Sequence, residues 1–292
     1  MTGATTDERR TTGPGRSAPT AGRHLPTAGE HTPTTAGRRT TTAGRLRALG
    51  YAELVLLARN RTAVFVALLV PLAMVLAMKT TLERIDLGGT GLTVTGMALT
   101  GGIGMVLMQV VYMNLVSAYV ARREDLVLKR LRTGEVADWE ILTGTALPSV
   151  ALALAQTVLM VLAGAAAFDV GAPERPDLFL AGLLSGSVLL AALAAVTSVA
   201  TRTVQTSQIT TLPLFLVSMI GSGLFVPLEV LPDRVASVCE LLPMTGVMTL
   251  VRAGWLGGSD GSDLLTAGLV ALAWTVFAVF AVQRWFRWEP RR

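Results

Sequence analysis

The sequence predicts an all-α membrane protein that crosses a bilayer six times, and three observations predict it. Of 292 residues, 51% are hydrophobic and only 15% charged, where a soluble domain carries about 25% charged residues. Two long runs, 87–121 and 141–168, contain no charge at all. Each can span a bilayer, which takes about 20 apolar residues at roughly 1.5 Å rise apiece. Between them lies a dense charged island, 122–140, too short to be a domain. Arg122, Arg123, Lys129, Arg130 and Arg132 put this link on the cytoplasmic side.

Taken in order, the chain opens with a Thr-, Gly-, Ala-, Pro- and Arg-rich tail, 1–44, in which TAGR recurs at irregular intervals. With almost no apolar bulk it cannot offset the entropy of ordering, so it is predicted to be disordered and cytoplasmic. It has no apolar core of a secretory signal. Residues 45–61 interleave Leu46, Leu49, Leu54 and Leu57 with Arg45, Arg47, Glu53 and Arg59. They form either an amphipathic helix in the cytoplasmic interface or the long inner end of the first span.

Span one is 62–82, with Pro71 in its middle. Span two, 92–121, is glycine-rich and carries two amides, Gln109 and Asn114. Each of these either bonds a neighbouring helix or lines a substrate path. The link 122–140 follows. Leu126, Val127, Leu128 and Leu131 recur there at helical spacing among charges. The link is either an ordinary basic loop or a surface that docks a cytoplasmic partner. Span three is 141–168, with Pro148 near its inner end and Gln156 buried. Span four is 178–201 and carries Gly182-x-x-x-Gly186, a close-packing face. Span five is 205–225, with Pro213 inside it.

The next stretch, 226–263, is neither span nor linker. Pro227, Pro232 and Pro243 divide it around two half-apolar helical stretches, 233–242 and 244–255. Segments of that length read as re-entrant or interfacial rather than spanning. Glu229 and Arg252 sit here, on the outer side. Span six is 264–283, closed by Arg284, Trp285, Arg287 and Trp288. With both termini inside, 20 of the 25 basic residues are cytoplasmic, as the positive-inside rule requires.

Several chemistries are excluded. The only histidines, His24 and His31, lie in the tail, and Cys239 is the single cysteine. A histidine-based metal site or hydrolase triad therefore has no residues, and neither catalytic nor metal-ligating positions are assigned. The basic residues cluster in the tail and at span ends, which speaks for lipid contact and topology, not nucleic acid. A phosphate-cradling loop needs G-x-x-x-x-G-K-[ST]. Neither lysine, Lys79 or Lys129, stands in one, so the chain is expected to be no ATPase and to hold no cofactor. The span centres carry no charge, which disfavours proton-coupled transport. An ion-coupled secondary transporter and a non-transporting scaffold remain as alternatives.

Residues 122–148, RREDLVLKRLRTGEVADWEILTGTALP, resemble the cytoplasmic link of type-2 permeases of ATP-binding-cassette exporters. The later stretch 213–258, from PLFLVSMIG to RAGWLGG, resembles a second segment of the same family at the right separation. The likeness runs from about Arg45 to the C-terminus and is strongest to the daunorubicin-resistance-type drug-export permeases. It implies a plasma-membrane permease subunit working as a homodimer with a separate ATPase subunit that binds ATP and Mg. The cargo would be a hydrophobic or amphipathic drug, antibiotic or lipid. It implies ATPase docking at Arg123, Glu124, Lys129, Arg130, Leu131 and Arg132. Glu124 can equally pair with Arg123. Gln109, Asn114, Gln156, Glu229 and Arg252 are the pathway or outer-gate candidates. The Ala-, Gly- and Arg-rich composition points to a bacterial source.

Overall fold

Helices form along the apolar runs, and their ends fall where capping residues stand. The computed structural model describes residues 73, 93–126, 137–168, 171–224, 228 and 231–286. Helix α1 is Val94–Glu124. Its N-cap is Thr93, whose Oγ1 accepts from the backbone N–H of Gly96 at 3.2 Å. Its middle, Leu107–Met113, is wound as a π-helix. Helix α2 is Asp138–Phe168, with Pro148 inside it. Helix α3 is Pro176–Ala200, opened by a proline where a missing N–H costs nothing. Helix α4 is Val204–Gly221, opened by a reciprocal capping box between Thr203 and Thr206. Helices α5, Asp233–Glu240, and α6, Pro243–Leu256, follow, and α7 is Gly261–Trp285.

Four helices, α1, α2, α3 and α7, are long and apolar enough to cross a membrane. They fall on the expected spans 92–121, 141–168, 178–201 and 264–283. Helix α4 falls on the expected fifth span, but it is not one of the four. After Val204, its 18 residues run through the polar Gln205, Thr206, Ser207 and Gln208; at 1.5 Å each they reach about 27 Å. The α5–α6 pair passes the same test only when taken together, and it bends by 97° at its break. The described residues thus hold four crossings, or five if the bent pair counts as one. The tail 1–44, the interfacial helix 45–61 and the first span 62–82 lie outside them.

Burial separates the helices. The apolar window of α1 is 83% buried, that of α3 56%, that of α2 28% and that of α7 22%. So α1 is the core helix. Helices α2 and α7 turn Val158, Leu162, Leu269, Leu272, Val276 and Phe280 outward. In water such faces would aggregate; in a bilayer they meet lipid tails.

The helices alternate in direction. The starts of α1, α3 and α7 gather around α6, where Gly96 faces Leu256, Gly254 faces Phe179 and Gly246 faces Ala267. Their ends gather at the opposite extreme, where Arg123 meets Ser198 and Tyr119 meets Phe286. Helix α6 therefore occupies one half of the thickness only.

It fits there because glycines clear its path. A β-carbon on Gly254 would lie 2.3 Å from the backbone nitrogen of Phe179, and one on Gly246 would lie 2.3 Å from the carbonyl oxygen of Ala267. On α3, the Gly182-x-x-x-Gly186 face receives Val251 and Val247 of α6. Van der Waals contact between backbones holds such a junction where there is no hydrophobic drive between helices.

Candidate functional site

A chain of hydrogen bonds between helices stands at the end where the link leaves α1. From Tyr112 onward, α1 sends one hydrogen bond after another to its neighbours. Tyr112 Oη shares one with Thr197 Oγ1 of α3 at 3.0 Å. Ser117 Oγ shares one with Ser207 Oγ of α4 at 2.7 Å. Tyr119 Oη donates to the carbonyl of Leu142 on α2 at 3.0 Å. Arg122 Nη1 donates to Thr145 Oγ1, also on α2, at 3.2 Å. One helix is thereby tied to three others within four turns.

Arg123 completes the set. The sequence places it on a docking surface; the structure turns it inward, where it is 1% exposed. Its Nη1 donates to the carbonyl of Ser198 at 2.9 Å, and its Nη2 donates to the carbonyl of Thr201. Both carbonyls stand at the C-terminal end of α3, where a helix runs short of N–H partners; that of Ser198 also accepts from the N–H of Thr201 at 3.3 Å. A guanidinium there also meets the negative end of the α3 dipole, and bonds from a charged donor are stronger than neutral ones. Consecutive helical residues point about 100° apart, so Arg122 reaches α2 while Arg123 reaches α3.

The link departs abruptly. The N–H of Asp125 still bonds the carbonyl of Ala121 at 2.9 Å, and that of Leu126 bonds Arg123 at 3.1 Å. Leu126 then adopts φ 58°, a left-handed conformation that costs a non-glycine residue about 1–2 kcal/mol. The expected apolar stripe of the link thus begins on a residue that ends α1. Both stubs of the link are exposed: Glu124, Asp125 and Leu126 on one side, Ala137, Asp138 and Trp139 on the other. At the start of α2, Glu140 Oε2 accepts from the N–H of Ala137 at 3.1 Å, and Asp138 and Glu140 suit the positive end of that helix. Lys129, Arg130, Leu131 and Arg132 lie outside the described residues.

The pathway candidates part company. Gln109 and Asn114 are both exposed on a helix that is otherwise almost wholly buried between Gly96 and Val116. Five residues along an α-helix would set them about 140° apart. The π-winding prevents this: the N–H of Asn114 bonds the carbonyl of Gln109 directly, so the two stand about one turn apart on the same side. Among the described residues neither amide side chain has a hydrogen-bonding partner. Gln156 is 2% exposed and belongs to the interior of the bundle. Arg252 is 9% exposed and donates through Nη2 to the carbonyl of Gly223, just past the end of α4. It holds the turn that follows α4, at the opposite end of the molecule from Arg123. Glu229 lies outside the described residues.

Sequence reasoning missed Tyr112, Ser117, Tyr119 and Arg122 as a set. Tyr112, Tyr119 and Arg123 recur at spacings of seven and four, which marks one helical face; this was the available signal.

No curated protein matches the chain. Residues 44–256 match the family described as ABC-2 type transporter. With most of its length covered, and with several apolar helices around a polar link end, the chain belongs to that family and is the transmembrane permease of an ABC transporter.

Proposed function

We propose that this permease exports a hydrophobic or amphipathic compound, such as a drug, antibiotic or lipid, using ATP hydrolysed by a separate subunit docked under the 122–140 link. The family normally works with an ATPase partner subunit. ATP and Mg sit on that partner, and this chain catalyses no reaction itself. Two copies of the permease face each other across the passage in the plasma membrane, with both termini cytoplasmic. The bent α5–α6 pair dips in from the outer side and closes the far end of the passage.

The observation that carries this reading is the exposed amide pair. Gln109 and Asn114 stand one turn apart on the core helix, inside a membrane-spanning segment, with no side-chain hydrogen bond among the described residues. An amide facing hydrocarbon without a partner costs about 1–3 kcal/mol on protein scales. That favours water, substrate or a second copy on this face rather than lipid tails. The tie of α1 to α2, α3 and α4 directly above the link supports the drive: a displaced link moves a connected set of helices.

Capture of the tagged permease in mild detergent tests the docking. A stoichiometric ATPase subunit is expected with the unaltered chain, and the pair of charge reversals Lys129→Glu and Arg130→Glu is expected to release it. Retention of the partner by that variant places the dock elsewhere.

A further inference from the structure

We infer that Arg123 is a positioning residue for coupling: it carries displacement of the link to the α3–α4 corner, and it touches no partner protein. The inference rests on the docking reading above, but its grounds are separate. Arg123 stands in the last turn of α1, directly ahead of the link, and is 1% exposed. A residue so enclosed cannot form an intersubunit contact. Its fork grips the carbonyls of Ser198 and Thr201. These lie on either side of the point where α3 ends at Ala200 and the chain turns back. Only Arg202 and Thr203 separate Thr201 from the first residue of α4.

The corner itself is rigid. Thr201 Oγ1 donates back to the carbonyl of Thr197 at 3.0 Å, and Ser198 Oγ donates to Ala195 at 2.7 Å. On the far side, Thr203 and Thr206 lock the start of α4. One side chain therefore holds a stiff hinge piece to the base of the link helix. The planar guanidinium spans two carbonyls at once; an ammonium is a point donor and reproduces only part of the grip. The neighbouring Arg122 donates in another direction, to the hydroxyl of Thr145 on α2.

The test uses the full permease–ATPase complex with a reporter cysteine, Gln205→Cys, on the exposed first turn of α4, in a Cys239→Ala background. A membrane-impermeant maleimide is applied with and without ATP and vanadate. With Arg123 intact, the labelling rate changes on adding ATP and vanadate. Arg123→Gln is expected to keep the ATPase partner in stoichiometric amount in a folded complex of lowered thermal midpoint, because two buried carbonyls lose their donor, yet lose the ATP-dependent change. Arg123→Lys is expected to restore part of it. A merely structural residue would lower the midpoint in the same way but leave the ATP-dependent response intact in the folded protein. The proposal is overturned if Arg123→Gln responds fully to ATP, or if that variant sheds the partner, which would make Arg123 a docking contact after all. Absence of any ATPase from the complex with Arg123 intact would overturn the docking reading and the coupling role together, and is distinguishable from either result.

Discussion

The two ends of this bundle are held together by different physics. Around α6 the helices meet through glycine: Gly96, Gly104, Gly182, Gly186, Gly246 and Gly254 each lie where a β-carbon would come within 3 Å of a neighbour. At the link end they meet through hydrogen bonds, from Tyr112, Ser117, Tyr119, Arg122 and Arg123. Close-packed contacts have one good arrangement and resist sliding. Hydrogen bonds to hydroxyls, such as those of Tyr112, Ser117 and Arg122, can be exchanged for others, while Arg123 keeps its two carbonyls. The contrast assigns stiffness to the α6 end and, outside the Arg123 clamp, adjustability to the end where the link enters, where the proposed docking would deliver its push. Discrete rearrangement of this kind is what a ligand-driven change of state needs.

The largest effect should come from breaking the stiff end. Gly254→Ala sets a methyl 2.3 Å from the nitrogen and 2.6 Å from the Cα of Phe179. Backbone cannot rotate away, so the helices must part, at a cost of about 3 kcal/mol. A lowered thermal midpoint in detergent, or loss of folded protein, is the expected result. Gly268→Ala on α7, where a β-carbon meets nothing within 4 Å, serves as the matched control. There alanine should gain up to about 1 kcal/mol of helix propensity. Equal midpoints for the two variants would remove the case for glycine packing.

Arg252→Met comes next, because it takes a polar bond out of the stiff end. The carbonyl of Gly223 loses its guanidinium partner in a buried place, a loss of about 1–3 kcal/mol. Gly223 itself has φ 71° and would place a β-carbon 3.2 Å from Arg252 Nη2, so the arginine reaches this carbonyl because the residue is glycine. The midpoint should fall less than for Gly254→Ala, and the larger fall of the two decides whether packing or capping dominates that end.

What could be read in the sequence follows the same division. Apolar length is a property of the chain, so the helices at 94–124, 138–168, 176–200 and 261–285 stand where uncharged runs predict them. Prolines mark breaks, so Pro232 and Pro243 announce α5 and α6. Gly182-x-x-x-Gly186 announces a close contact, but its partner, α6, is a matter of tertiary packing. The link-end set was harder to see. The segment LMQVVYM carries no local mark of π-winding, since the extra residue per turn is imposed by the surroundings; without it Gln109 and Asn114 do not share a face. Arg123 reads as one more basic residue at a span end. Its inward turn depends on where α3 stops, which no spacing within α1 reveals.

The smallest predicted effect tests the adjustable end. Ser117 and Ser207 join α1 to α4 through one bond of 2.7 Å. Each hydroxyl also lies within reach of a carbonyl of its own, Ser117 Oγ of Met113 and Ser207 Oγ of Val204; with one hydrogen apiece, one serine donates across the junction and the other to its carbonyl. Loss of one hydroxyl therefore leaves the other still satisfied. A double-mutant cycle with Ser117→Ala and Ser207→Ala should return a coupling of about 0.6 kcal/mol, the average for hydrogen bonds between membrane helices. It would be read from unfolding of the detergent-solubilised protein. A coupling well above about 2 kcal/mol would exceed the measured range for such bonds and would mean that this junction is as rigid as the glycine end. In that case α4 could not move independently of α1, and a link displacement would have to shift them as one body.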